Sequence, residues 1–172
     1  MKSVFFILLL IPAISFSQRY GGYLQAHFGF DLPKNVNFVY GAKLDGGVSI
    51  NNTAFLGAGA GITKFDQING IYLPLYANFS FALKNPYSKF FPFVVAQPGY
   101  GFYKEDNKLF ARNSLQSTGG FTYYAGVGIG ISTQIKVKTC ITLGYSRYNF
   151  TSSVGSNFNF NGPSLRITLL ML

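Results

Sequence analysis

The chain has 172 residues; only 11% are charged, 18% are aromatic and 20 are glycine, with a formal net charge of +9. An average soluble domain carries roughly 25% charged residues, so this composition argues against a water-soluble protein. Outside the N-terminus no apolar run approaches the roughly 18 residues of a membrane-spanning helix, which also argues against a helical membrane protein.

The excess of Lys and Arg is most simply read as decoration of turns, with contact to anionic lipid head groups as the second reading. No basic cluster interleaved with aromatics marks a nucleic-acid site. One cysteine, Cys140, rules out an intramolecular disulfide and a cysteine-built metal centre.

At the N-terminus, Met1-Lys2-Ser3 is a short basic start and Val4 to Ile14 is apolar apart from Pro12. Ser15-Phe16-Ser17 places small residues where a signal peptidase reads them. This predicts a secretory signal over residues 1–17, cleaved before Gln18, and one further domain over 18–172.

From there the dominant pattern is period two, the signature of strands whose successive side chains face opposite ways. In the first segment Leu24, Ala26, Phe28 and Phe30 share one face, with Tyr23, Gln25 and His27 on the other. In the second, Phe38, Tyr40, Ala42, Leu44 and Val48 oppose Gly41, Lys43, Asp45, Gly47 and Ser49. In the third, Leu56, Ala58, Ala60 and Ile62 oppose Gly57, Gly59, Gly61 and Thr63. In the fourth, Ile71, Leu73, Leu75, Phe79 and Phe81 oppose Tyr72, Tyr76, Asn78 and Ser80.

The fifth segment, around Phe90–Tyr103, alternates least cleanly. Pro92 and Pro98 cannot donate to a ladder, which predicts a bulge or strained register there. In the sixth, Phe121, Tyr123, Ala125, Val127 and Ile129 oppose Thr122, Tyr124, Gly126, Gly128 and Gly130. In the seventh, Val137, Ile141, Leu143 and Tyr145 oppose Lys138, Thr142, Gly144 and Ser146. In the last, Leu165, Ile167, Leu169 and Met171 oppose Ser164, Arg166 and Thr168.

Connections alternate in length. Short ones fall at Asn51-Asn52, Asn85-Pro86 and Thr133-Gln134; the longest fall around Lys104–Thr118 and Asn149–Gly162. Short inner turns and long outer loops are the asymmetry of bacterial membrane barrels. The prediction is therefore an all-β fold: an eight-stranded antiparallel up-and-down transmembrane β-barrel in the bacterial outer membrane, with both termini periplasmic. A soluble barrel would turn its apolar face inward. Here the second face, rich in Gly, Thr, Ser and Tyr, is a poor core but suits a polar lumen.

The secretory start, the opening Tyr23-Leu24-Gln25-Ala26 and Leu73-Pro74-Leu75-Tyr76-Ala77 resemble the small outer-membrane β-barrel domain family of Gram-negative surface proteins. Gly99-Tyr100-Gly101-Phe102, Leu143-Gly144-Tyr145 and Ser164-Leu165-Arg166-Ile167 share that likeness. The resemblance covers nearly all of residues 18–172. It implies the porin-like barrel, outer-membrane lipid as surroundings and the barrel-assembly machinery as a partner during biogenesis. It does not imply a particular activity.

A barrel of eight strands is just wide enough for side chains to fill. Its inward charges need partners, because an unpaired buried charge costs several kcal/mol. Gln25, His27, Lys43, Asp45, Tyr72, Tyr76, Tyr124 and Arg166 are therefore expected to form one hydrogen-bonded network inside, with Arg166 approaching Gln25 and His27 where the barrel closes. The inward glycines leave a second reading open, a narrow channel for small solutes.

A third reading is a lipid-modifying enzyme, which uses a histidine with a serine or carboxylate. The only histidine, His27, faces the lumen rather than the bilayer, and Ser152, Ser153 and Ser156 have no histidine beside them. No metal or cofactor is expected: one His and one Cys cannot build a metal site, and Gly57-Ala58-Gly59-Ala60-Gly61 lacks the Lys-Ser/Thr ending of a phosphate loop. The expected role is non-enzymatic, structural or surface-interacting, through outer loops that meet lipid, an envelope protein or an external ligand. Lys104, Lys108 and Phe110 in the third outer loop, and Phe150, Phe158 and Phe160 in the fourth, are the contact candidates.

Overall fold

The structure, a computed structural model, describes residues 20–34, 37–66, 70–105, 118–132, 137–151 and 157–172. The expected signal at 1–17 and the turn at Thr133-Gln134 lie outside the described residues. Eight strands form among them: β1 (Tyr20–Asp31), β2 (Val39–Ile50), β3 (Ala54–Phe65), β4 (Gly70–Ala82), β5 (Phe90–Glu105), β6 (Thr118–Ser132), β7 (Val137–Thr151) and β8 (Asn157–Met171). Each is antiparallel to its neighbours, and β1 pairs with β8 to close the barrel.

The register fixes the barrel's shape. From Gly21, paired positions run through Ser49, Phe55, Ser80, Val95, Gly126, Gly144 and Ser164 and return to β1 at Asp31, ten residues further along. Such a stagger over eight strands tilts them by about 40° from the barrel axis. At roughly 3.3 Å per residue even the shorter strands then rise about 30 Å, enough to cross an apolar band of about 25 Å.

The alternation read from sequence becomes an inside and an outside. Leu44, Ile62, Leu75, Val127, Ile129 and Leu143 stand exposed on the outer wall, while Gln25, Lys43, Asp45, Asn78, Thr142 and Arg166 are buried within it. Toward the long-loop end the outer wall carries Phe30, Tyr40, Tyr100, Phe102, Phe121 and Tyr145, the aromatic girdle of a membrane interface.

The β2–β3 turn follows directly from its residues. Asn51 and Asn52 adopt φ of 52° and 57°, and Thr53 N–H donates to Ile50 O at 3.1 Å. Two successive positive φ values define the two-residue turn whose twist matches a hairpin, and asparagine tolerates them best after glycine. At Asn85-Pro86 the Asn85 side chain accepts from Tyr87 N–H at 3.0 Å and its carbonyl accepts from Ser88 N–H at 2.9 Å.

The bulge expected in β5 does not form. The pairs from Gly70↔Glu105 to Tyr76↔Gly99 and from Phe79↔Ala96 to Ala82↔Phe93 share one register. The ladder lapses only between these runs, opposite Pro98, and resumes unshifted. β3–β4 behaves the same way at Pro74, between Ala60↔Leu75 and Thr63↔Tyr72. A missing N–H removes one rung; neighbours on both sides hold the register.

Inward glycines make room for large rings. A Cβ on Gly101 would lie 2.0 Å from Cζ of Tyr72, and one on Gly130 would lie 2.0 Å from Cζ of Phe91. Gly101→Ala is expected to destabilise the barrel by about 1–3 kcal/mol, because Tyr72 must leave its place among packed rings. Urea unfolding in lipid vesicles measures this, and a neutral result would show that the ring shifts freely.

Candidate functional site

The lumen is filled in three storeys. At the short-turn end Tyr23, Phe55, Phe91, Phe93, Cys140 and Leu170 form an apolar floor, with Tyr23 edge-on to Phe55 at 5.5 Å. At the long-loop end Val39, Phe65, Tyr72, Tyr103, Tyr148, Phe150 and Phe160 form a roof, with Phe158 packed against it. Tyr103 stacks on Phe150 at 5.1 Å, and Phe65 lies 5.2 Å from Phe160.

Between them lies a polar storey centred on Asp45. Its carboxylate accepts from His27 Nε2, from Tyr76 OH at 3.1 Å and from Asn78 Nδ2 at 2.8 Å. A carboxylate only accepts, so neutral His27 carries its proton on Nε2, and Nδ1 takes the Thr168 hydroxyl at 2.8 Å. Asn78 also reaches Gln25 Oε1 at 3.2 Å and Tyr23 OH at 3.1 Å. Its own carbonyl accepts from Gln97 Nε2 at 3.3 Å.

Gln97 then passes the chain to Arg166, whose Nη1 donates to Gln97 Oε1 at 2.5 Å. The guanidinium carbon lies over Tyr124, 3.3 Å from the ring centroid, and Nη2 reaches Ser146 Oγ at 3.4 Å. Tyr124 OH bonds Thr142 Oγ1 at 2.8 Å. Lys43 places Nζ 5.3 Å from the Tyr76 ring centroid.

Lys43 and Arg166 share this storey with Asp45, and Asp31, which accepts from Tyr148 OH of the roof, lines a small cavity with both cations, so two cations stand with two anions. Among the described residues their charges meet through amides, hydroxyls and rings rather than in direct Lys or Arg ion pairs. A half-satisfied network in a low-dielectric interior is costly. The amides of Asn78 and Gln97, each bonded on both its N and O atoms, are what hold the network together.

Of the expected network, Gln25, His27, Asp45 and Tyr76 meet around Asn78 and Asp45, while Arg166 joins through Gln97 and Tyr124 joins through the guanidinium over its ring. Arg166 lines one small cavity together with His27, while its hydrogen bonds go to Gln97 and Ser146. It pairs in register with Gly29 and extends across the lumen to β5. Tyr72 stands apart in the aromatic roof, its OH donating to Gly120 O at 3.2 Å.

The fourth-loop candidates are corrected by the strand ends. Phe150 lies in β7 and Phe158 and Phe160 in β8, paired as Phe150↔Phe158 and Tyr148↔Phe160. They point inward and are wholly or largely buried, so they are roof rather than loop anchors. The hairpin simply continues its alternation past Asn149, where Asn, Gly and Ser give the sequence a loop-like look. Lys104 falls within β5, opposite Ile71; Lys108 and Phe110 lie outside the described residues.

Thr168, His27 and Asp45 stand in the order hydroxyl, imidazole, carboxylate, as in a nucleophilic triad. Their exposures of 2%, 2% and 3% bury all three inside the barrel. The adjoining cavity measures ≈ 10 Å³, about the space of one water. Asp31 Oδ1 and Thr63 Oγ1 line that cavity with no hydrogen-bond partner among the described residues. Among the described residues no cluster of three metal-binding side chains occurs.

A closed, tilted eight-stranded barrel with an apolar wall outside and a polar storey within is the architecture of small outer-membrane barrels. The chain is similar in structure to Neisserial surface protein A (NspA), with a TM-score of 0.65 at 12% identity, covering 89% of this chain and 98% of that one. It is also similar to the N-terminal β-barrel domain of Pseudomonas aeruginosa OprF, with a TM-score of 0.54 at 11% identity, covering 89% and 100% of the two chains. These likenesses are of fold. No protein-family profile and no curated protein matches the sequence.

Proposed function

We propose that the chain is a non-enzymatic barrel of the bacterial outer membrane with a sealed lumen, acting as a structural or surface-interaction protein through its outer loops. The carrying observation is the filled interior: an aromatic roof, a bonded polar storey and an apolar floor, with a cavity of only ≈ 10 Å³ beside the polar storey. The apolar outer wall supports the membrane location, and the long-loop end would face outward with the termini in the periplasm. The buried Thr168–His27–Asp45 chain reads as a brace holding β8, β1 and β2 together. Lipid, another envelope protein or an external ligand would meet the loops.

Two measurements test this reading. On an unboiled gel the detergent-extracted outer-membrane protein should migrate differently from boiled sample, as closed barrels do. In planar lipid bilayers the refolded chain should give no steady conductance steps; reproducible openings would return the channel reading.

A further inference from the structure

The outer wall changes chemistry at the long-loop ends of β7 and β8. Lower down, Ile141 and Leu143 face outward beside Ile167 and Leu165. Beyond Tyr145 the outward positions become Arg147, Asn149 and Thr151 on β7 and Asn161, Asn159 and Asn157 on β8. They pair rung by rung as Arg147↔Asn161, Asn149↔Asn159 and Thr151↔Asn157. This polar ladder begins where the aromatic girdle of Phe121 and Tyr145 ends, the level of lipid head groups.

Hydrogen bonds within the ladder run in one sense. Arg147 Nε donates to Asn149 Oδ1 at 3.2 Å, Thr151 Oγ1 to Asn157 Oδ1 at 2.9 Å and Asn161 Nδ2 to Asn159 Oδ1 at 3.5 Å. Tyr145 OH donates to Asn161 Oδ1 at 2.9 Å. An arginine nitrogen can only donate, so it fixes the Asn149 amide with Nδ2 turned away from it. Every amide oxygen is engaged by a neighbour. The Nδ2 groups of Asn149, Asn157 and Asn159 have no hydrogen-bond partner among the described residues. The ladder presents donors, one guanidinium and no carboxylate.

A cleft adjoins these donors. At the start of β6, Gly119 and Gly120 carry no side chains, and a Cβ on Gly120 would sit 1.5 Å from the Asn149 carbonyl oxygen. The open space beside them measures ≈ 340 Å³ and is lined by β6 from Gly119 to Phe121, by the outward Asn149, Asn157 and Asn159, and by Phe150 and Phe158 of the roof. That volume lies in the range of small-ligand sites. Successive outward positions along a strand are about 7 Å apart, so the donors match several acceptors spread over a ring rather than one point charge.

The geometry points to a binding site for the phosphorylated sugar headgroup of an outer-leaflet glycolipid, in the cleft between the outer ends of β6, β7 and β8. This rests on the membrane orientation proposed above. The amide donors and Arg147 take hydroxyl and phosphate oxygens, and the half-exposed Phe121 ring offers an apolar face to a sugar. Below the cleft the apolar strip of Leu143, Ile141 and Leu165 continues down the wall, where the acyl chains of the same molecule would lie. A free oligosaccharide has no use for that strip, and a phospholipid has no ring for the cleft.

The test uses the refolded full chain in detergent micelles, exposed to deep-rough lipopolysaccharide or to phosphatidylglycerol, with retained lipid read by native mass spectrometry. The wild type should hold one glycolipid, at least about tenfold in preference to phosphatidylglycerol, and Asn149→Ala with Asn159→Ala should remove about tenfold of that affinity. Arg147→Gln, a single surface change, should weaken retention in the same direction and serves if the double variant does not fold. Undiminished retention by a variant that still shifts on boiling overturns the site. Equal retention of phosphatidylglycerol by the wild type also overturns it, reducing the effect to charge. A wild type without any shift on boiling instead overturns the barrel reading on which the site depends.

Discussion

Asp45→Ala is expected to destabilise the barrel by about 3–5 kcal/mol, the cost of breaking a buried charge network by removing one partner. The carboxylate is the acceptor for His27, Tyr76 and Asn78 at once. Without it the buried donors of His27 and Tyr76 lose their acceptor and Asn78 loses its shortest one, and Lys43 and Arg166 are left with Asp31, under the roof, as the remaining buried carboxylate. Urea unfolding in lipid vesicles, followed by the mobility shift on gels, gives the number. Adding Lys43→Met to Asp45→Ala should cost less than the sum of the two single changes, because it removes the cation that the carboxylate offsets. A loss under about 1 kcal/mol for Asp45→Ala alone would mean that the storey is held by packing and not by its hydrogen bonds.

The sequence made the faces of the strands legible but not their levels. Period two correctly placed His27, Asp45, Tyr76 and Arg166 inside, because facing depends only on the parity of position along a strand. Which of them touch depends on the ten-residue stagger of the closed barrel, which brings Arg166 to Gln97 and Gln25 to Ser80. Gln97 sits in β5, where inward Phe91, Phe93 and Val95 precede it and outward Phe90, Pro92 and Val94 leave no polar–apolar contrast. The central connector was therefore illegible, along with the apolar floor to which those phenylalanines belong.

The β7–β8 ends failed for a different reason. Composition there says loop, while parity says strand: Tyr148 and Phe150 face inward and Arg147 and Asn149 outward, mirrored by Phe160 and Phe158 against Asn161 and Asn159. Polar residues on the outer face normally argue against a membrane strand. Beyond the girdle of a membrane barrel they do not, because at that level such a wall meets head groups instead of acyl chains. The same residues that disguised the strand are the ones that form the donor ladder.

Leu143→Arg is expected to cost about 2–4 kcal/mol, and its sign decides which solvent the outer wall meets. Leu143 is 65% exposed and stands in register with Val127 and Leu165, below the girdle formed by Phe121 and Tyr145. On a protein in water an exposed leucine replaced by arginine changes stability by about 0.5 kcal/mol or less. At the midplane of a bilayer the guanidinium must leave water, which carries the larger penalty. Leu32→Arg is the matched control: Leu32 is 60% exposed just beyond the outer end of β1, where the cost should fall to about 0–1 kcal/mol. Unfolding both variants in the same vesicles separates burial from exposure without any assumption about the lumen. Equal small effects at the two positions would place Leu143 in water and remove the membrane from the account. A large effect at Leu143 alone would put the level of the apolar band on the strands, with Arg147 and the asparagine ladder standing just above it.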